Sequence, residues 1–232
     1  MGSEPENTLR SFRKAIDLGA RGVELDVHLS KDKKLIVIHD NDISRTTKGK
    51  GLISQMTLAQ IKKIDAGKNE KIPTLEEIID LAIRKNILLN IELKGLGTVV
   101  PVVKLIEQKR ISNQVVISSF LYNKLKVVKS LNSKIKTGIL IRKLPRRLAD
   151  FLKLAKTYKA DGFHIRKNFL RKRHLKAAQE NGLYVWVWTA NGPREIKKFK
   201  SWGVDGLITN YPDRAIKIIK IKNVTLNLFQ GL

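Results

Sequence analysis

Short runs rich in β-branched residues alternate with longer amphipathic stretches along this chain, and this alternation restricts its possible folds more than any other feature. The recurring strand-like runs are 21–27, 87–93, 114–118, 136–141, 162–165, 183–188 and 204–208. Alternating strands and helices are typical of βα units on a parallel sheet. A closed barrel of such units has eight strands, whereas seven runs are recognisable. The sequence therefore predicts an α/β fold, a TIM-type (β/α)8 barrel that lacks one strand.

Apolar residues at helical spacing predict helices between these strands and near both ends of the chain. The clearest of these stretches are 8–18, 58–64, 75–85 and 213–221. Thr74 is followed three residues later by Glu77, which is the capping-box pattern. We therefore expect Thr74 to cap the helix 75–85.

One further strand-like run, 35–39, follows the strand 21–27 after a polar turn. That spacing predicts a hairpin whose second arm lies beside the first. No linker-like segment divides the chain, and residues 223–232 carry no clear helical or strand signal. We expect one barrel domain over 1–222 and a C-terminal tail at 223–232.

The composition excludes several classes of site. The chain has no cysteine, which excludes disulfides, zinc–cysteine sites and thiol catalysis. It opens with polar residues instead of a signal peptide, and no apolar run approaches the roughly 18 residues of a membrane span. A cytoplasmic location is therefore slightly favoured. The formal charge of +25 attracts polyanions, or it merely solvates the surface of a protein from a lysine-rich proteome.

Carboxylates recur at predicted strand ends. Side chains alternate between the two faces of a strand, so Glu24 and Asp26 share one face, and Asn90, Glu92 and Lys94 share a face of another strand. Three carboxylates at one end of a barrel would suit a hard cation, Mg²⁺ or Ca²⁺. The alternative is that each carboxylate pairs with a nearby lysine.

A histidine follows the second arm of the predicted hairpin. His39, with Asp40 next to it, would be brought back beside Asp26, where it could exchange a proton with a phosphodiester oxygen. Alternatively, it is a hydrogen-bonded loop histidine. The other three histidines, His28, His164 and His174, are given no catalytic role.

Several short blocks, in order along nearly the whole chain, resemble the glycerophosphodiester phosphodiesterases. They include Pro-Glu-Asn-Thr at 5–8, Glu-Leu-Asp at 24–26, His-Asp at 39–40 and Asn-Ile-Glu-Leu-Lys at 90–94. Further matching blocks are 45–47, 72–77, 187–191 and 203–213. The resemblance is specific because no single block carries it.

This resemblance implies a (β/α)8 barrel that hydrolyses glycerophosphodiesters to glycerol 3-phosphate and an alcohol. By motif, Glu24, Asp26 and Glu92 would hold one divalent cation, Mg²⁺ or Ca²⁺. His39 would be one of two acid/base histidines, and Lys94 would lie near the phosphate. Trp188 would form a wall of the glycerol pocket.

The family's first strand ends in a His-Arg-Gly motif, and this chain has only residues 1–4 before the matching Pro-Glu-Asn-Thr block. We expect an N-terminally truncated barrel with weak activity, because a second acid/base histidine and an arginine are missing. Strands 21–27 and 204–208 would then each expose an edge. We therefore expect marginal stability or self-association.

Other functions remain open. The chain could be a non-catalytic member of the family that binds anionic lipid or phosphodiesters, or a lysophospholipase D-like enzyme. Nucleic-acid binding is disfavoured because only the charge suggests it. Two predicted βα loops are densely basic and would form a cationic rim that attracts anionic diesters or an anionic membrane surface. Their basic residues are Arg142, Lys143, Arg146, Arg147, Arg166, Lys167, Arg171, Lys172 and Arg173.

Overall fold

The computed structural model describes residue 2, residues 4–220 and residues 227–230. Strands and helices alternate along this part of the chain, as the sequence predicts. The strands are β1 (Gly22–Leu29), β2 (Leu35–Val37), β3 (Leu88–Leu93), β4 (Val115–Ser119), β5 (Lys136–Ile141), β6 (Gly162–Arg166), β7 (Tyr184–Trp188), β8 (Gly206–Thr209) and β9 (Asn227–Gln230). The helices are α1 (Leu9–Asp17), α2 (Leu58–Ile61), α3 (Leu75–Lys85), α4 (Val99–Gln108), α5 (Tyr122–Leu131), α6 (Leu148–Tyr158), α7 (Lys172–Glu180), α8 (Pro193–Trp202) and α9 (Pro212–Lys220).

All neighbouring strands from β3 to β9 pair in parallel, and β1 pairs in parallel with both β3 and β9. Together, β1 and β3 to β9 form an eight-stranded parallel sheet whose first and last strands meet. Such a ring of parallel strands with helices in the connections is the TIM-type barrel that the sequence predicts. Within the described residues, no helix is long and apolar enough to cross a lipid bilayer.

Strand β9 was not expected from the sequence. It pairs with β8 over four residues and with β1 at Gly22–Phe229 and Val23–Gln230. It therefore fills the position between β8 and β1 where the predicted barrel is one strand short. The prediction that these two strands expose edges is wrong, because β9 occupies both edges. The predicted boundary between the barrel domain and its tail, at 222 and 223, lies outside the described residues.

The hairpin excursion is confirmed. Strand β2 pairs antiparallel with the end of β1, at Val27–Val37, His28–Ile36 and Leu29–Leu35. Strand β9 pairs only with the first two residues of β1, and β2 pairs with the last three. Strands β2 and β9 therefore share one edge of β1. After β2 the chain forms a small lobe with its own apolar core, whose buried members are Ile36, Ile38, Ile43, Ile53, Ile61, Ala66 and Ile72.

Helix starts follow local capping chemistry. Thr8 and Thr74 accept hydrogen bonds from backbone N–H groups in the first turns of α1 and α3, and both positions form complete capping boxes. The predicted cap of α3 and its bounds are thus confirmed. In contrast, α6 and α7 have Arg147 and Arg171 at the N-cap, without a side-chain hydrogen bond. Cations are disfavoured at that end of a helix.

Two apolar layers hold the barrel together. Alternate residues of β1 (Val23, Leu25 and Val27) are fully buried between the sheet and the helices. A smaller cluster of Val116, Trp186 and Ile208 forms a separate apolar group on the inside of the barrel. With the apolar residues of β1 facing outward, Glu24 and Asp26 are left to face inward.

We predict that breaking β9 destabilises the whole barrel. Phe229→Pro should lower the melting temperature, because proline removes a backbone donor from a strand that is paired on both sides. A lost buried hydrogen bond costs about 1–3 kcal/mol, and each kcal/mol lowers the melting temperature of a chain of this length by about 2–4 °C. Thermal denaturation monitored by circular dichroism measures the effect.

Phe229→Val is the matched control, since it changes the same side chain but keeps the backbone N–H. Size-exclusion chromatography should also show self-association of the proline variant only, because its β1 and β8 edges become available for pairing. Equal melting temperatures for the two variants would exclude β9 from the barrel in solution.

Candidate active site

Two parallel strands bring three carboxylates together. In the pairing of β1 with β3, Glu24 lies opposite Asn90 and Asp26 lies opposite Glu92. Because the side chains alternate along each strand, all four point to the same side of the sheet. Ligand oxygens of Glu24, Asp26 and Glu92 lie within 4.8 Å of one another. The structure therefore places the three predicted metal ligands around one point.

These carboxylates are buried, and burial opposes their ionisation. Burial raises the pKa of Asp26 to about 7, and the negative charge of Glu92 adds to the effect. Burial, together with Asp26 and Glu92, raises the pKa of Glu24 well above its usual range. The pKa of Glu92 is also raised by burial, although Lys94 and Arg142 oppose the shift. A cluster of this kind is stable in its ionised form only with a compensating cation.

One positive side chain already reaches the cluster. The Nζ atom of Lys94 lies 3.0 Å from Oδ1 of Asp26, so the alternative of pairing with a nearby lysine holds for that carboxylate. Asn7 donates a hydrogen bond to the other oxygen of Asp26 at 3.3 Å. A single ammonium group leaves two of three ionised carboxylates without a positive partner.

The donor set fits a hard divalent cation. Carboxylate and amide oxygens are the ligands that Mg²⁺ and Ca²⁺ prefer, and the three carboxylates supply several such oxygens. The buried side-chain oxygen of Asn90, near Glu92 on the inner face of β3, has no hydrogen-bond partner among the residues that the structure describes. It is a further neutral oxygen beside the cluster.

His39 is held in place by a chain of ionic contacts. It lies two residues after β2, and its Nδ1 is 2.6 Å from Oδ1 of Asp40. Arg45 donates to the second oxygen of Asp40 and also, at 2.6 Å, to Glu6. With Nδ1 directed to Asp40, the ring presents its other nitrogen, Nε2. This arrangement lets His39 exchange a proton at Nε2 while its ring orientation stays fixed.

A cavity of about 540 Å³ connects these groups at the carboxyl ends of the strands, where barrel enzymes have their active sites. Its walls contain all the predicted site residues except Asp26, which lies beneath its surface. The lining residues are Glu24, His39, Asn90, Glu92, Lys94, Phe120, Leu140, Arg142, Arg166, Lys167, Trp188, Thr189, Asn191, Ile208 and Asn210.

Trp188 is part of a packed aromatic wall. Its indole N–H donates to the backbone carbonyl of His164 at 2.9 Å, which fixes the ring. Phe120 packs edge-on against it, with ring centroids 5.8 Å apart. The guanidinium of Arg142 lies 4.4 Å from the centre of the Phe120 ring. Trp188 thus lines the cavity, and its contact with the glycerol part stays a prediction.

Sequence reasoning missed several residues of the site. Phe120 directly follows β4. Residues at the carboxyl ends of barrel strands are candidates for the active site, so its position was a usable signal. Asn191 lies in the loop after β7, and its side-chain oxygen accepts hydrogen bonds from Thr209 and from the backbone of Asn210. Lys124 donates to the backbone carbonyls of the last residue of β3 and of the two residues after it. It thereby fixes the loop that carries Lys94, and no pattern in the sequence indicates this contact.

The remaining histidines lie outside the cavity. His28 is buried in β1, where its ring contacts the backbone carbonyl of His39 at 3.1 Å. His164 is buried inside the barrel, and burial lowers its pKa to about 3, which keeps the ring neutral. His174 packs edge-on against Phe151 with centroids 5.2 Å apart. That these three histidines have no catalytic role stays a prediction.

The sequence and the fold are both similar to those of known phosphodiesterases. A glycerophosphodiester phosphodiesterase from Caldanaerobacter subterraneus subsp. tengcongensis is 34% identical over 93% of this chain and 93% of its own length. One from Bacillus altitudinis is 35% identical over 94% of both chains.

Solved structures give the same result. An Oleispira antarctica phosphodiesterase in complex with the product sn-glycerol-3-phosphate superimposes with a TM-score of 0.87 at 30% identity, over 93% of this chain and 92% of that one. A Thermotoga maritima glycerophosphodiester phosphodiesterase gives 0.78 at 28% identity, over 94% and 93%. Residues 1–214 match the model of the glycerophosphoryl diester phosphodiesterase family. The chain belongs to this family.

Proposed function

We propose that this protein hydrolyses glycerophosphodiesters to glycerol 3-phosphate and an alcohol. The observation that carries the proposal is the meeting of three buried carboxylates with a carboxylate-oriented histidine in one cavity at the carboxyl end of the barrel. Relatives that match nearly the whole chain carry the name of this activity. The bound product of the Oleispira enzyme supports glycerol 3-phosphate as the product.

In this proposal, Glu24, Asp26 and Glu92 hold one divalent cation, Mg²⁺ or Ca²⁺. A bound divalent cation would neutralise the charge of the phosphate and polarise its oxygens. The raised pKa values of the three carboxylates are the physical support, because a cation at their centre would remove the mutual repulsion that now disfavours ionisation.

The reaction adds water across the bond between phosphorus and the oxygen of the alcohol. The water oxygen joins phosphorus, the ester bond to the alcohol breaks, and one proton of the water is transferred to the departing oxygen. We assign the proton transfer to Nε2 of His39, with Asp40 stabilising the protonated ring. Lys94, on the same inner face as Glu92, would lie near the phosphate, and Trp188 would contact the glycerol part.

The cationic residues outside the cavity support an additional role for the barrel mouth. Arg147 and Arg171 occupy helix N-caps, where a cation is unfavourable by a few tenths of a kcal/mol. A role in binding would account for this cost, so we include contact with an anionic membrane surface in the proposal. A separate tail at 223–232 does not fit β9, which pairs with β8 and β1, so the proposal is one barrel domain that includes this strand. A cytoplasmic location stays a prediction.

The role of His39 can be tested by substitution. His39→Gln should lower kcat for glycerophosphocholine hydrolysis by about 10²–10⁴-fold, since it removes the proton donor. Asp40→Asn should cause a smaller loss, because it changes only the orientation and charge support of the ring. Glycerol 3-phosphate release in the presence of Ca²⁺ or Mg²⁺ is the measurement.

Glu180→Gln, an exposed position on α7, is the control and should retain parental activity. Undiminished turnover in His39→Gln would assign proton transfer to a different group. If the parent protein binds the diester but never hydrolyses it, the non-catalytic alternative is correct. A clear preference for lysophospholipids would favour the lysophospholipase D-like alternative.

The metal site can be tested without turnover. Saturating Ca²⁺ or Mg²⁺ at about 100 times the dissociation constant should stabilise the parent by about 2.7 kcal/mol. Glu92→Gln should abolish this increase. In EDTA the Glu92→Gln variant should have a higher melting temperature than the parent, because loss of the Glu92 charge removes its repulsion of Asp26. Differential scanning fluorimetry gives both values.

Glu180→Gln again serves as the matched control, since it also removes one carboxylate charge but lies far from the cavity. It should show the full metal-induced rise in melting temperature. An equal rise in Glu92→Gln and in the control would remove Glu92 from the ligand set.

Membrane contact can be tested by co-sedimentation with anionic vesicles at low salt. Replacing Arg146, Arg147, Arg171 and Arg173 with Gln should abolish binding. The control replaces Arg84, Lys85, Lys134 and Lys136, exposed cations at the opposite end of the barrel. It removes the same charge and should bind like the parent. Equal binding by both quadruple variants would leave only surface solvation as the role of these arginines.

A further inference from the structure

Two arginines lie side by side in the wall of the cavity. Ile141 of β5 pairs with Ile165 of β6, so the next residues, Arg142 and Arg166, come next to each other at the carboxyl ends of adjacent strands. Arg166 in turn lies opposite Trp188 on β7. Both arginines line the cavity described above. They are therefore neighbours in one row of side chains at its mouth.

Neither arginine forms an ion pair with a carboxylate within the described part of the chain. Like charges on directly neighbouring strands are destabilising, and no acidic side chain in the described ranges lies within ion-pair distance of either arginine. The adjacent Lys167 differs, because its Nζ lies 2.8 Å from a carboxylate oxygen of Glu195. The surplus positive charge of this wall is thus located at Arg142 and Arg166.

Arg142 is held by packing. Its guanidinium stacks on Phe120 at 4.4 Å, and Phe120 packs against Trp188. A guanidinium that is fixed in this way presents its N–H fork without losing further side-chain freedom, and the fork matches the paired oxygens of a phosphate or carboxylate. The Arg142 guanidinium also covers a face of the Phe120 ring that could otherwise attract a quaternary ammonium group.

The two arginines are separate from the metal cluster. Glu92 is on β3 and Arg142 follows β5, with β4 between them. At about 4.8 Å for each strand spacing, their backbones lie about 10 Å apart across the mouth. The charge of Arg142 still lowers the pKa of Glu92, so the two groups share one cavity. If the phosphate lies at the carboxylate cluster and the glycerol part contacts Trp188, the alcohol part would extend along the same wall toward the arginines.

We propose that Arg142 and Arg166 form an anion subsite for the alcohol part of the substrate. The preferred substrates are glycerophosphodiesters whose alcohol carries a second phosphate, and diesters of cationic alcohols such as choline are disfavoured. This inference rests on the proposed function and adds the substrate class to it. No other described cavity residue supplies an unpaired guanidinium.

The test uses two diesters that differ in one group. They are glycerophosphoglycerol and the same molecule with a phosphate on its terminal hydroxyl. The parent should show a kcat/KM at least about tenfold higher for the phosphate-bearing diester, the ratio that corresponds to 1.4 kcal/mol. In Arg142→Gln and in Arg166→Gln this ratio should fall toward one. It should also fall with added NaCl, since salt screens charge interactions at an open cavity mouth.

Arg84→Gln is the matched control. It removes one exposed arginine charge at the end of α3, and Arg84 does not line the cavity, so the ratio should stay at the parental value. Melting temperatures of all variants show whether any change results from loss of folding.

Three outcomes overturn the inference. In one, the parent hydrolyses both diesters equally. In another, Arg142→Gln and Arg166→Gln reduce both reactions by the same factor, which would mean that the arginines grip the reacting phosphate. In the third, Arg84→Gln lowers the ratio as strongly as Arg142→Gln and Arg166→Gln do.

If neither diester is hydrolysed, the proposed function is wrong. The anion subsite is then tested by binding alone. Isothermal titration calorimetry of the two intact diesters with Ca²⁺ present should then show about tenfold tighter binding of the phosphate-bearing one. That preference should be lost in Arg142→Gln. Equal dissociation constants for the two diesters would overturn the subsite as well.

Discussion

The register between β1 and β3 is the constraint on which the site depends. It places Asp26 directly opposite Glu92 and Glu24 opposite Asn90, and a shift by one residue would turn these side chains outward into the apolar layer. Burial of Val23, Leu25 and Val27 against the helices prevents that shift. The hydrophobic effect outside the barrel thus holds three mutually repelling carboxylates together inside it.

Closure of the barrel is the second requirement of this arrangement. Strand β1 is central to the site, and β9 pairs with its beginning while β2 pairs with its end. Together with β3 on the other edge, these neighbours fix the strand that carries two of the three carboxylates. The hairpin formed with β2 also brings His39 to the mouth of the barrel. One strand therefore positions two of the three carboxylates and the proposed proton-transfer residue.

Much of this could be read from the sequence, because its decisive features are local. Period-two alternation is sufficient to place Glu24 and Asp26 on one face, and the polar turn predicts the return of His39. Strand β9 could not be predicted in this way. It has four residues, and its pairing partners on β1 lie about two hundred positions earlier in the chain. The ionic chain from His39 through Asp40 and Arg45 to Glu6 is equally non-local, so composition and spacing do not reveal it.

The high positive charge also divides into two physical classes once the contacts are known. Several lysines bind backbone carbonyls at the ends of elements: Lys124 caps the loop after β3, and Lys200 donates to the carbonyls of Ile218 and Ile219 at 2.9 Å. Such lysines stabilise the fold by satisfying backbone acceptors at the ends of strands and helices. Arg142 and Arg166 have no comparable acceptor among the described residues. The positive charge that is available for binding is therefore that of Arg142 and Arg166. These two residues lie across the cavity from the carboxylates, so its mouth has one negative and one positive wall.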